Sequence, residues 1–123
     1  GVLSGGQLQR CSIARSLACD SKLLMLDEYS SGLDYFTKFE LQDLLLKIFN
    51  NRDVDRTFLM VTHDISEAVY LSNRIYILEP KPCRIKEVID IKFSQPRTQA
   101  IRETDEFKDY YAKVLKALNE TVK

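Results

Sequence analysis

Two periods of apolar and polar positions alternate along the chain, one of about 3.6 residues and one of short unbroken apolar runs. Leu8, Cys11, Ile13, Ala14, Leu17 and Ala18 follow the helical spacing and predict a helix from about Gln7 to Cys19. Asp20 and Ser21 interrupt it. Lys22 to Leu26 holds the run Leu23-Leu24-Met25-Leu26, which ends in Asp27-Glu28. Unbroken apolar character suits a strand buried on both faces, as in a parallel sheet. Tyr29 to Leu33 reads as a loop. Asp34 is placed to cap a helix running to about Phe49, with Leu41, Leu44, Leu45 and Ile48 as its buried stripe. Asn50, Asn51 and Asp53 stop that helix.

Thr57 to Val61 predicts a second buried strand. Asp64 and Glu67 make a capping-box-like start for a short helix, Ile65 to about Leu71. Arg74 to Leu78 predicts a third strand, broken by Pro80 and Pro82. Cys83 to Phe93 reads as a fourth, with Ile85, Ile89, Ile91 and Phe93 on one face. Val88 falls off that alternation, which predicts a bulge or bend near Glu87. Pro96 ends the sheet region. Thr104 caps a final helix whose apolar face is Phe107, Tyr111, Val114, Leu115, Leu118 and Val122. Strands alternating with helices argue for an α/β fold built on a parallel sheet.

Composition adds exclusions. The 123 residues carry 18 basic and 18 acidic side chains, so bulk attraction to nucleic acid or anionic lipid is not favoured. No apolar run approaches the length of a membrane span. The cysteines, Cys11, Cys19 and Cys83, are odd in number and form no Cys-x-x-Cys pair. They read as reduced, partly buried thiols rather than a disulfide or zinc site. The first residue is Gly, which leads us to expect a longer parent chain.

Three places carry candidate chemistry. Asp27 and Glu28 end a buried strand, and the carboxyl edge of a parallel sheet is where α/β proteins bind ligands. An acid there can hold Mg²⁺, and a second at the exposed tip can orient a water. Alone, an apolar run followed by Asp-Glu equally describes a solvated strand end. His63, the single histidine, ends the next strand and reaches the same edge. Its imidazole can move a proton or donate to a phosphate oxygen, or it can simply satisfy a strand end. Ser4-Gly5-Gly6-Gln7 precedes a helix, where close backbone approach and the helix dipole favour an anion. A Gly-Gly pair by itself also describes an ordinary flexible helix start.

Together these become specific. Leu-Ser-Gly-Gly-Gln at 3–7, four apolar residues then Asp-Glu at 23–28, Ser-Gly-Leu-Asp at 31–34 and Thr-His-Asp at 62–64 stand in one order. That set resembles the C-terminal half of an ATP-binding cassette ATPase, the motor subunit of ABC transporters. The resemblance implies a P-loop NTPase-like (RecA-like) parallel sheet with flanking helices, lacking the P-loop strand, plus a C-terminal helix. It implies one domain over 1–123: a signature region at 1–21, a sheet region at 22–93 and a helical tail at 94–123. Ser4, Gly5, Gly6 and Gln7 would contact ATP held by a partner subunit. Asp27 would stand on the Mg²⁺ shell, Glu28 would be the general base, and His63 would reach the γ-phosphate. Ser31, Gly32, Leu33 and Asp34 would form the D-loop that crosses the dimer interface. ATP and Mg²⁺, a second ATPase subunit, membrane permease subunits and a peripheral place on the cytoplasmic face of the membrane follow from the same resemblance.

A finer resemblance points to the nitrate, sulfonate and taurine importer branch. It rests on Leu33-Asp34-x-x-Thr37-Lys38-x-x-Leu41-Gln42, on Thr62-His63-Asp64 with Glu67-Ala68, on Pro80-x-Pro82-x-Arg84-Ile85 and on Pro96-Arg97. Two departures stand out. Tyr29 occupies the place where the family usually has Pro, so the loop loses proline's fixed φ. No Gly-x-x-x-x-Gly-Lys-[Ser/Thr] occurs in the chain. The chain alone is therefore expected to bind ATP poorly, to hydrolyse none, and to self-associate through exposed strand edges. The alternatives are a non-transport ABC ATPase and a non-catalytic module that offers its signature helix to a partner.

Overall fold

The computed structural model describes residues 22–50, 56–80 and 83–121. The predicted helix at Gln7–Cys19 lies outside the described residues, as do Ser4, Gly5, Gly6 and Gln7. The chain divides into two compact units, Gly1–His63 and Asp64–Lys123.

The first unit contains β1 (Leu23–Asp27), α1 (Tyr35–Phe49) and β2 (Thr57–Val61). The two strands pair in parallel, with Leu23 opposite Thr57 and Asp27 opposite Val61. Asp34 caps α1 by accepting the Thr37 N–H at 2.8 Å. Leu24 and Leu26 of β1 are buried together with Tyr29 and with Leu41, Gln42, Leu45 and Leu46 of α1. Phe49 meets Phe58 of β2 edge-on at 5.6 Å.

Two expectations are corrected here. The strands are not buried on both faces. β1 alternates, and Met25 remains 67% exposed on the face that also bears Leu23, Leu59 and Val61. A two-stranded ribbon covered on one side buries every second residue. The stripe of α1 is rotated, with Gln42 and Leu46 buried in place of Leu44 and Ile48. Apolar residues on four successive turns leave the choice of face to the packing partner, and Gln42 rather than Leu44 ends inside.

The second unit contains α2 (Ile65–Leu71), β3 (Arg74–Pro80), β4 (Cys83–Asp90), a 3-10 turn at Gln99–Glu103 and α3 (Asp105–Thr121). Asp64 caps α2 by accepting the Glu67 N–H at 3.1 Å. β3 and β4 pair antiparallel, from Arg74 opposite Asp90 to Pro80 opposite Cys83. The architecture is thus α/β with a parallel pair and flanking helices, but the third and fourth strands form a separate antiparallel sheet among the described residues. The register slips where Ile77 faces Glu87 and Leu78 faces Ile85, so Lys86 is the extra residue. The predicted bulge is present, and it turns Ile85 away from the Ile89 face, leaving it exposed. Lys86 reaches the Ala117 carbonyl at 3.2 Å.

Ile75, Ile77, Ile89, Ile91, Val69, Tyr70, Ile101, Phe107, Val114 and Ala117 form the core of this unit. On α3, Ala117 replaces the expected Tyr111 and Leu115, which stay partly exposed. Thr104 Oγ1 accepts the Phe107 N–H at 3.3 Å, as its place before the helix predicts. Cys83 is exposed rather than partly buried, because β4 begins there. No helix among the described residues is long and apolar enough to cross a membrane.

Candidate functional site

The parallel register of β1 and β2 decides what meets at their carboxyl ends. Asp27 is the last residue of β1 and pairs with Val61, the last of β2. The Glu28 N–H continues the ladder by donating to the Val61 carbonyl at 2.8 Å. Glu28 and His63 therefore leave the sheet side by side. His63 Nδ1 lies 2.8 Å from Glu28 Oε1. The His63 side chain is 90% exposed and that of Glu28 38% exposed, while Glu28 Oε1 itself is buried and accepts no hydrogen bond. Asp27 is exposed beside it.

Glu28 holds a positive φ of 50°. A non-glycine residue there crowds its Cβ against the following carbonyl, at a cost of about 1–2 kcal/mol. The chain turns sharply after it: the Ser31 N–H donates to the Glu28 carbonyl at 3.1 Å and the Leu33 N–H to the Ser30 carbonyl at 3.2 Å. Gly32, at φ 80°, supplies the second left-handed residue. Strain of this kind at a strand end is a common mark of a working site.

Tyr29 and Ser30 are buried at 2% and 5% exposure. Burial of the Tyr29 ring anchors the loop where proline's ring would otherwise have fixed it. Sequence reasoning placed Tyr29 only as a departure. Its aromatic character next to a buried strand was the available signal. Ser31, Gly32 and Asp34 stay exposed and Leu33 is half-buried, so this turn presents polar groups outward. The Asp34 carboxyl is held below its ordinary pKa, first by the Thr37 backbone N–H it accepts and then by the Thr37 side chain.

Among the described residues no group of three or more His, Cys, Asp or Glu side chains could hold a metal alone. A Mg²⁺ ion rarely needs one, since it keeps several waters and takes one or two carboxylates plus substrate phosphates. The exposed carboxylate of Asp27 suits that hard, partly hydrated ion, whereas Glu28 is half-buried and its Oε1 is covered.

A family model described as "ABC transporter" matches residues 1–31, a stretch holding both Ser4-Gly5-Gly6-Gln7 and Asp27-Glu28. The chain is 44% identical over 113 residues to an aliphatic sulfonates import ATP-binding protein, SsuB, of Bacillus cereus. That match spans 92% of this chain and 43% of the relative. It is 42% identical over 120 residues to an uncharacterized ABC transporter ATP-binding protein of Methanocaldococcus jannaschii, spanning 98% of this chain and 43% of that one. The chain thus spans about two-fifths of the length of the curated relatives it matches. A solved bacterial Atm1-family ABC exporter with ATP bound superposes with a TM-score of 0.57 at 26% identity, over 91% of this chain and 18% of that one.

Proposed function

We propose that this chain, a member of the ABC transporter ATP-binding family, supplies the water-activating half of a composite ATPase site. The observation that carries the reading is the meeting of Glu28 and His63 at 2.8 Å beside Asp27. Phosphoryl transfer to water asks the protein for positioning and for compensation of charge. Glu28 is the group that accepts a proton from the attacking water. His63, its Nδ1 2.8 Å from that carboxylate, presents the rest of the imidazole toward a phosphate oxygen. Asp27, directly or through water, holds Mg²⁺, which when bound neutralises phosphate charge.

Ser4, Gly5, Gly6 and Gln7 complete the site in the opposite direction, as backbone and hydroxyl donors to ATP bound on a second subunit. Ser31, Gly32, Leu33 and Asp34 then lie at the subunit contact. The phosphate cradle for Asp27, Glu28 and His63 belongs to a P-loop outside these 123 residues. The chain alone is therefore inactive, and the edge of β2 that meets no further strand among the described residues favours self-association. The intact protein works as a dimer with membrane permease subunits at the cytoplasmic face of the membrane.

The similarity to the sulfonate importer subunit supports import of a small anion such as a sulfonate, nitrate or taurine. The test is magnesium-dependent ATP turnover by the parent-length subunit, by its Glu28→Gln variant and by the 123-residue chain. Turnover in the first alone is expected. Turnover by the chain itself overturns the composite site, and undiminished turnover in Glu28→Gln overturns the role of Glu28.

A further inference from the structure

The C-terminal part of the second unit is tied to α2 by side chains, and Arg97 is the centre of the tie. Its Nη1 donates to the carbonyls of Val69 at 3.0 Å and Tyr70 at 2.7 Å, and its Nη2 to that of Ser72 at 2.8 Å. A longer contact of 3.5 Å reaches the Ile91 carbonyl. Val69 and Tyr70 lie in the last turn of α2 and Ser72 is its C-cap, and the helix has no basic residue of its own in that turn. A helix C-terminus leaves such carbonyls without intrahelical donors and carries partial negative charge. Arg97 answers both needs from more than twenty residues downstream. Burial pushes the guanidinium pKa down from its ordinary value, yet arginine keeps its charge in proteins.

The tie continues into α3. The Arg97 guanidinium lies 5.0 Å from the centre of the Phe93 ring. Phe93 stacks on Phe107 at 6.2 Å and meets Tyr110 edge-on at 5.3 Å. Tyr110 Oη donates to the Lys92 carbonyl at 2.9 Å and accepts the Lys92 N–H at 3.1 Å. Ser94 Oγ donates to Glu106. Arg102 donates to Ser66 near the start of α2 and lies 4.4 Å from the ring centre of Tyr70 near its end. One continuous set of contacts thus runs from α2 through residues 91–97 to α3.

We propose that Arg97 is a latch: it closes residues 91–97 over the C-terminal end of α2 and, through Phe93 and Tyr110, makes α2 and α3 gain and lose order together. The device is independent of the ATPase reading, because it uses no residue of that site. It requires the planar fork of arginine, since one ammonium cannot reach carbonyls on both sides of the helix end in a fixed geometry.

The first test needs no variant. Nitrogen-15 resonances of the arginine side chains are recorded in the 123-residue chain. A closed latch gives Arg97 Nη protons resolved from one another, exchanging about tenfold or more slowly than those of the exposed Arg74 and Arg84. Averaged, fast-exchanging Arg97 signals overturn the proposal.

The second test is amide exchange in Arg97→Lys. Exchange at Ser72, Lys92 and the α3 amides near Val114 should rise together by about tenfold or more, with a smaller rise in the β3–β4 ladder. Unchanged exchange at Ser72 and Lys92 overturns the latch. So does an equal rise across the ladder, which marks general destabilisation.

Discussion

His63 Nδ1 and Glu28 Oε1 are 2.8 Å apart because the parallel register sets Asp27 opposite Val61 and brings both side chains out at one edge. The contact contributes little to stability. His63 is 90% exposed, and exposed pairs are worth at most about 1 kcal/mol. Its value is in placement. His63→Ala should leave the thermal midpoint of the protein nearly unchanged, while ATP turnover of the parent-length subunit falls by about 100-fold or more. A large loss of stability with turnover preserved would make His63 a structural residue. Calorimetry beside a phosphate-release assay reads both quantities.

The backbone at Glu28 gives a second expectation. Its φ of 50° suits glycine, so Glu28 stands against its local backbone preference. Glu28→Gly and Glu28→Ala both remove the carboxylate and should both abolish turnover. Only the first relieves the backbone. Denaturant unfolding should find Glu28→Gly more stable than Glu28→Ala by about 0.5–1 kcal/mol. Equal stabilities, or the reverse order, would show that the turn is not strained.

Much of this was legible in the sequence. Caps were read well, because Asp34, Asp64 and Thr104 act on amides three residues away and need no tertiary information. The bulge near Glu87 was legible because Val88 breaks a period of two. The faces of α1, β1 and α3 were not, since which apolar residue is buried depends on what packs against it. Val61 and Met25 are apolar and exposed, and nothing local distinguishes them from Leu24. The separate pairing of β3 and β4 was missed for a related reason: an αβα rhythm suggests a parallel sheet, while the short connection from Pro80 to Cys83 permits a hairpin. The edge that holds Asp27, Glu28 and His63 was legible, because a strand's last residue is marked by the end of its apolar run. The close contact within that edge and the burial of Tyr29 needed three dimensions.

The rotated stripe of α1 makes a direct comparison. Leu41 is fully buried, whereas Leu44 is only partly covered. Leu41→Ala leaves a cavity and should cost about 2–5 kcal/mol of unfolding free energy. Leu44→Ala should cost about 1 kcal/mol or less, as expected for a residue outside the tightly packed core. Equal losses in urea titrations would restore the stripe read from sequence spacing.

Acid should loosen two defined places. The Asp34 carboxyl is held below its ordinary 3.8, mainly by the Thr37 amide, and the Asp90 carboxyl below 3.8, first by its hydrogen bond from Arg74 and then by that charge. A depressed folded-state pKa means that the stabilisation is fully present above the unfolded value. It is lost as pH falls through the lower, folded-state value. The start of α1 and the Arg74–Asp90 end of the hairpin should therefore hold at pH 5 and release only below about 3.8. Carboxyl carbon-13 titrations should give midpoints below that value for both residues. Salt separates the two causes. The Asp90 midpoint should move toward 3.8 as ionic strength rises, because part of its shift is charge attraction. That of Asp34 should move less, because a backbone N–H sets it. In Asp34→Asn the cap persists without a titrating group, so the start of α1 should lose its acid sensitivity while Asp90 keeps its own. A midpoint at or above 3.8 for Asp34 would mean that the cap is not formed in solution.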